Sequence, residues 1–263
     1  MIISTFNING IKARIEALPR HLAATRPDVV CLQEIKSVDE SFPREVFEDM
    51  GYRVETHGQK GFNGVAVLSR LPLEDVVRGL PGVNADGSPD AQARWIEAVV
   101  MAPRPLRICG LYLPNGNPAP GPKYDYKLDW MARMEARVRT LLAAEEPFLC
   151  AGDFNVIPQD EDAARPEVWR DDALGLPGSR TAYRRILHLG LYDAFRLRTP
   201  GPGHYSFWDY QANAWERNLG IRIDHLLLSP QAADRLTGAG INRDVRAGDK
   251  PSDHVPVWVD LAD

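Results

Sequence analysis

Cysteine is scarce: three in 263 residues, too few for a fold stapled by disulfides. Cys31, Cys109 and Cys150 each sit inside an apolar run, VVCLQ, LRICGLYL and FLCAG, with no CxxC pair and no histidine at metal-ligand spacing. They read as reduced, buried thiols, not as a zinc site. Long apolar runs are missing too, since proline, glycine or charge interrupts each one well short of the ~20 residues that cross a bilayer. No membrane partner is therefore expected. The chain opens MIISTFN, straight into a strand-like run, without the basic and apolar segments of an export signal, so a cytoplasmic location is expected. No Pro/Gly/Ser-rich linker divides zones of different composition, which favours a single domain over residues 1–263. An excess of positive charge is also lacking. The formal net charge of −5 neither suggests nor excludes nucleic acid, because local clustering matters more than the sum.

What is present is a succession of short strand-like runs. The spacing predicts strands over residues 2–6, 29–33, 52–56, 64–68, 95–101, 106–113, 148–151, 221–228 and 255–261. Helices are expected over 11–25, where Ile11, Ile15, Leu18 and Leu22 form one stripe, and over 125–145, where Leu128, Met131, Met134, Val138 and Leu141 do the same. Shorter helices are expected after Pro43, over 182–189 and over 230–236. Residues 159–180 read as a long connection, acidic at first and broken by Pro177 and Gly178. Strands outnumber helices, and the helices fall between groups of strands. That pattern suits sheets packed together with helices on their outer faces.

The stretch that organises the rest is FLCAGDFNVIP, residues 148–158. An apolar strand is broken by Gly152, and Asp153 and Asn155 emerge at its end, two residues apart and so on one side of an extended chain. STFNING near the start echoes AGDFNVIP, which would place two strand ends side by side about a pseudo-twofold axis. Other polar residues also stand at strand ends: Asn7, Glu34, Tyr112, Asp224, Asp253 and His254. Carboxylates gathered without bases repel one another, so a shared site implies a cation, protons or a strong partner. Oxygen donors without a cysteine cluster favour Mg2+ or Mn2+ over zinc. A hard cation, a carboxylate and a histidine together suit phosphoryl transfer.

TFNING, CLQEIK, GVAVLSR, GLYLPNG, CAGDFNVIP, GLYDAFR, YSFWDY, RNLGIRIDHLLLS and PSDHVPVW follow one another from the first strand to Trp258. In that order they resemble the magnesium-dependent endonuclease/exonuclease/phosphatase family, and within it they are similar to the branch of bacterial abasic-site nucleases. The resemblance implies a four-layered αββα sandwich, two packed mixed sheets flanked by helices. It implies a Mg2+-dependent hydrolase of duplex DNA, with Mn2+ as a substitute, working at the nucleoid on abasic sites and 3′ ends; a monomer is the simpler expectation. Glu34 would be the principal metal ligand, assisted by Asn7, and Asp253 would hold a second cation or shape the site. Asp153 would orient or deprotonate the attacking water, with Asn155 and Tyr112 hydrogen-bonding the phosphate or that water. Asp224 would fix a protonated His254 that stabilises the phosphorus oxygens. His225, next to Asp224 in a strand, should face the other way and be structural.

The same resemblance implies that Phe207, Trp208, Ile221 and Ile223 line a pocket for a flipped-out abasic sugar, with Ile221 standing where some relatives carry tryptophan. Trp215, Arg217 and Asn218, in one loop with Gln211, would touch or wedge the duplex. Lys123 and Lys127 ahead of the long helix, Lys36 beside the metal, Gln59 with Lys60, and Arg243, Arg246 and Lys250 ahead of the SDH turn would meet phosphates. Arg133, Arg137 and Arg139 on the long helix are expected to face solvent. A same-fold enzyme for a small phosphate ester or a phospholipid headgroup is the alternative, against which YSFWDY and RNLGIRID argue. A binding module without catalysis is a third reading, disfavoured by the full catalytic set.

Overall fold

The computed structural model describes residues 1–263. In chain order the strands are β1 (Ile2–Asn7), β2 (Val29–Gln33), β3 (Arg53–His57), β4 (Val65–Ser69), β5 (Leu73–Arg78), β6 (Trp95–Val100), β7 (Leu106–Tyr112), β8 (Phe148–Asp153), β9 (Tyr192–Asp193), β10 (Asp224–Leu228), β11 (Leu236–Ile241) and β12 (Val257–Leu261). The helices are α1 (Ala17–Thr25), α2 (Arg44–Glu48), α3 (Pro122–Ala143), α4 (Pro177–Leu187), α5 (Ala194–Arg198) and α6 (Pro230–Ala233).

Two six-stranded mixed sheets run β11-β12-β1-β2-β4-β3 and β5-β6-β7-β8-β10-β9. Each is centred on one parallel pair, β1 with β2 and β7 with β8. Turning one order around maps β1 onto β8, β2 onto β7 and β12 onto β10, which is the pseudo-twofold that the repeated Phe-Asn suggested. The central strands are apolar on both faces because both faces are covered. Val29, Cys31, Leu149 and Ala151 pack between the sheets. The alternate residues Val30 and Leu32 meet Leu18 and Leu22 of α1, and Phe148 and Cys150 meet Met131, Met134 and Val138 of α3. The result is the four-layered αββα sandwich.

Several expected elements shift. The first helix breaks into a 3-10 turn at Lys12–Arg14 and then α1, so Ile11, Leu18 and Leu22 are buried while Ile15 is only partly covered. Helix α4 begins at Pro177, five residues before the expected start, because a proline in the first turn lacks only an amide that has no helical partner anyway. Residues 221–223 precede β10 rather than belonging to it. Strand β11 (LTGAGI) lies where a helix was expected to end. A Cβ at Gly240 would come within 2.7 Å of the Trp258 ring, so the indole lies across a strand that glycine keeps bare. The long-helix arginines also divide. Arg137 chelates the fully buried Glu97 (2.8 and 2.6 Å), and Arg133 is buried against Asp90 (2.8 Å). Only Arg139 faces solvent as expected.

Candidate active site

The C-terminal ends of β1, β2, β7 and β8 deliver Asn7, Glu34, Tyr112 and Asp153 to one rim. Asn7 lies at the centre. Its Nδ2 donates to Glu34 Oε1 (2.9 Å) and to Asp153 Oδ2 (3.0 Å), so one amide links carboxylates from the two sheets. The amide is itself aimed by Asn9, whose backbone N–H donates to Asn7 Oδ1 (3.0 Å). Asn9 Nδ2 donates in turn to Asp253 Oδ1 (3.1 Å). Glu34 holds a left-handed backbone, φ +50°, a conformation that costs a residue with a Cβ about 1–2 kcal/mol. Burial raises its pKa, but the Asn7 hydrogen bond and the Lys36 ammonium 2.9 Å from Oε2 outweigh that and hold it below the ordinary value.

Asp153 and Asp224 face each other in the antiparallel register of β8 and β10. His254 Nδ1 donates to Asp224 Oδ2 (2.9 Å), and its Nε2 lies 3.6 Å from Asp153 Oδ2. Ser206 completes the clamp. Its hydroxyl donates to Asp224 Oδ2 (2.6 Å) and accepts the backbone N–H groups of Ile223 and Asp224 (3.2 and 3.1 Å). Burial works against the imidazolium, but the charges of Asp224 and Asp153 prevail and raise its pKa to about 10. Burial raises Asp153 to about 7, with Asp224 adding to the rise and His254, Asn7 and the Asn155 N–H opposing it. Asp153, Asp224 and His254 have ligand atoms within 4.8 Å of one another. A protonated ring has no lone pair to give, so this group is better suited to moving charge than to chelation. Around Glu34 the ligating atoms are carboxylate oxygens, Asn7 Oδ1 being turned to the Asn9 N–H, and the thiols are buried in the core. That set fits a hard divalent cation.

Asn155 also has a left-handed backbone, φ +47°. Its N–H donates to Asp153 Oδ1 (2.8 Å) and its Nδ2 to Leu113 O (2.9 Å), while its Oδ1 accepts from Asn115 Nδ2 (3.2 Å). The side-chain oxygen is thus occupied, and one amide hydrogen is free for a ligand. The Tyr112 ring lies under the Arg94 guanidinium, 4.7 Å from its centroid. Burial, then the charges of Glu34 and Asp153, keep its hydroxyl well above the ordinary value, so it stays a donor.

The residues expected to hold DNA divide. Gln211, Arg217 and Lys123 are exposed, and Lys36 is partly so, paired with Glu34. Asn218 is engaged within the protein, accepting from Trp208 Nε1 (3.2 Å) and Arg243 (2.9 Å). Phe207 lies edge-on to the His254 ring, centroids 4.9 Å apart, and flanks a small cluster that contains Ile221 and Ile223. Both isoleucines are at most 2% exposed and Trp208 is fully buried, packed against Tyr205 and Val255. Trp208 is therefore core, not pocket wall. Lys127 is also corrected: it is fully buried, and its ammonium donates to the carbonyls of Asn115 (3.0 Å) and Asn155 (2.6 Å). His225 faces away from the site, as expected. Burial, then Arg222, lower its pKa to about 4, and it bonds Val156 O (3.0 Å) and Arg222 (3.1 Å). Asn9, Asn115, Ser206 and Arg222 were not anticipated. Ser206 lies inside YSFWDY and Arg222 inside RIDHLLLS, but only the fold shows their partners.

A profile of the endonuclease/exonuclease/phosphatase family matches residues 4–254. Exodeoxyribonuclease III of Haemophilus influenzae is 37% identical over 266 residues, covering 98% of each chain. The chain belongs to the endonuclease/exonuclease/phosphatase family. Solved structures of similar shape include an AP endonuclease from Archaeoglobus fulgidus (TM-score 0.92, 32% identity, 99% of both chains). Another is the 3′ phosphatase NExo from Neisseria bound to a product DNA hairpin (TM-score 0.93, 34% identity, 99% of both chains). For this member of the family, the likeness extends over both sheets and so takes in every strand end that builds the site.

Proposed function

We propose that the protein is a Mg2+-dependent DNA-repair phosphodiesterase, cutting duplex DNA at abasic sites and trimming 3′ ends as a 3′–5′ exodeoxyribonuclease. The observation that carries this reading is the Asn7 amide shared by Glu34 and Asp153, with the His254–Asp224 pair 3.6 Å beyond. A metal-holding carboxylate, a carboxylate that can take a proton and an imidazolium that can face a phosphate converge on one point. The relatives named for nuclease and 3′-phosphatase activity supply the substrate class.

Asp153, with a pKa near neutrality, accepts a proton from water as the water oxygen bonds to phosphorus, while the leaving sugar oxygen departs with the electron pair of its broken bond and takes up a proton from solvent. His254 keeps its proton and donates to a non-bridging oxygen as negative charge grows there. The free amide hydrogen of Asn155 and the Tyr112 hydroxyl hold the phosphate or the water. Glu34, with Asn7 beside it and Asp253 tied in through Asn9, would hold Mg2+, Mn2+ serving in its place; the bound ion would neutralise the phosphate oxygens. Phe207 beside His254 gives an apolar surface for a sugar that has lost its base. The whole chain acts as one domain and as a monomer, in the cytoplasm and at the nucleoid during repair. No helix is long and apolar enough to cross a membrane.

The test uses three labelled duplexes, one abasic, one 3′-recessed and one 3′-phosphate, each with Mg2+ and with chelator. Cleavage should require the metal, and Asp153→Ala should lower kcat by about a hundredfold or more. Undiminished cleavage by Asp153→Ala, or none by the wild type, refutes the reading.

A further inference from the structure

We propose that Lys127 is a positioning residue for catalysis, its buried ammonium fixing the two loops that aim the Asn155 amide at the phosphate. This rests on the phosphodiesterase reading above and adds a part to it. Lys127 lies on α3, in the outer helical layer, and reaches inward to the ends of β7 and β8. Its Nζ donates to Asn115 O (3.0 Å) and Asn155 O (2.6 Å), one carbonyl from the loop after each strand. Those loops carry the amide pair in which Asn115 Nδ2 donates to Asn155 Oδ1 (3.2 Å). The Asn155 backbone is therefore held at both ends, its N–H by the Asp153 carboxylate and its C=O by the ammonium. A displacement of that residue would move the Asp153 carboxylate and the Asn155 amide together.

The chain makes room for the side chain. Gly116, φ +91°, lies against it, and a Cβ there would stand 2.7 Å from Lys127 Cδ and 3.1 Å from Ala173 Cβ. An ammonium out of water is expensive, and burial pushes the Lys127 pKa down to about 7 despite the charges of Asp153 and Asp172. An aliphatic side chain would avoid that cost. It would also leave the buried carbonyl of Asn155, a left-handed residue, without a donor, and release the Asn115 loop from its tie to α3. Lys127 cannot serve as a DNA contact from this position. Nor is stability the whole of its role, since one of the two carbonyls belongs to Asn155, the residue that holds the phosphate or the water in the reading above.

A double-mutant cycle on the full chain decides the matter, with wild type, Lys127→Met, Asn155→Ala and the double variant assayed on the abasic duplex with Mg2+. Lys127→Met should lower kcat by about 10- to 100-fold with KM within about threefold, and should add less than about threefold in the Asn155→Ala background. An equal loss in both backgrounds overturns the proposal, as does a rise in KM with kcat preserved, or full activity of Lys127→Met. Should Lys127→Met fail to give a native melting transition, Lys127→Gln, whose shorter amide can meet one carbonyl but not both, replaces it under the same criteria. Absence of cleavage by the wild type would instead refute the phosphodiesterase reading, so the two failures are distinguishable.

Discussion

His254 carries its charge chiefly because of Asp224, with Asp153 adding to the effect. Burial alone would lower the ring's pKa, and Asp224, tied down by the Ser206 hydroxyl, contributes most to reversing this. Asp224→Asn keeps the shape and removes the charge. With burial then less opposed, the folded-state pKa should fall from about 10 towards neutrality, and the protonated fraction at pH 8 should drop. The expected outcome is a kcat roughly 10- to 100-fold lower at pH 8, with the alkaline limb of the pH–rate profile moved to lower pH. A variant whose profile keeps the wild-type limb would show that Asp224 does not set the charge. At this scale much of the site could be read in advance, because acids and amides closing apolar runs are unusual. Lys127 could not, since a lysine written YDYKLDW looks like a solvated helix face. Ser206 and Asn115 could not either, because their partners lie 18 and 40 residues away along the chain.

Among the elements, the segment ahead of β10 is held by a buried ion network. Arg222 Nε donates to Asp162 Oδ1 (2.7 Å) and Nη1 to Asp193 Oδ2 (2.8 Å), with Arg196 also bonded to Asp162. His225 joins as a neutral ring. Its Nδ1 accepts from Arg222 and its Nε2–H donates to Val156 O, which fixes the turn after Asn155. The folded-state pKa of His225 is depressed, so the unfolded chain takes up the proton more readily. Stability is therefore lost as pH falls from the ordinary value of 6.5 to about 4. The loss from this residue should be at most about 3.5 kcal/mol, complete below that window. Urea unfolding at pH 7.5 and 4.5 should show it, and His225→Gln should lose less between the two. An identical loss in both proteins would assign the acid sensitivity elsewhere. Elements whose residues are buried on both faces were legible as apolar runs. Strand β11 was hidden by the glycines that accommodate Trp258, and β5, LEDVVR, by the half-exposed pattern of a sheet edge.

For the whole molecule, the pseudo-twofold places the two Phe-Asn strand ends on one rim, so residues from both halves of the chain meet there. Net charge is negative, yet Lys12, Lys123, Arg217, Arg243 and Lys250 are exposed and form no ion pair within the protein. A duplex that covers the rim would exchange condensed counterions for such groups. If about 3–5 phosphates are neutralised, log K for binding should fall against log salt with a slope near −3 to −4.5. The experiment uses Asp153→Asn, which keeps the size of the side chain while slowing cleavage, and titrates an abasic duplex from low to high salt. Lys123→Glu and Arg217→Glu should each flatten the slope by about one, with little dependence on sequence, because phosphate contacts position the duplex without reading it. A flat salt response would mean that the substrate touches only the strand ends, as a small phosphate ester does, and would move the enzyme away from duplex DNA while leaving its phosphoryl-transfer site in place.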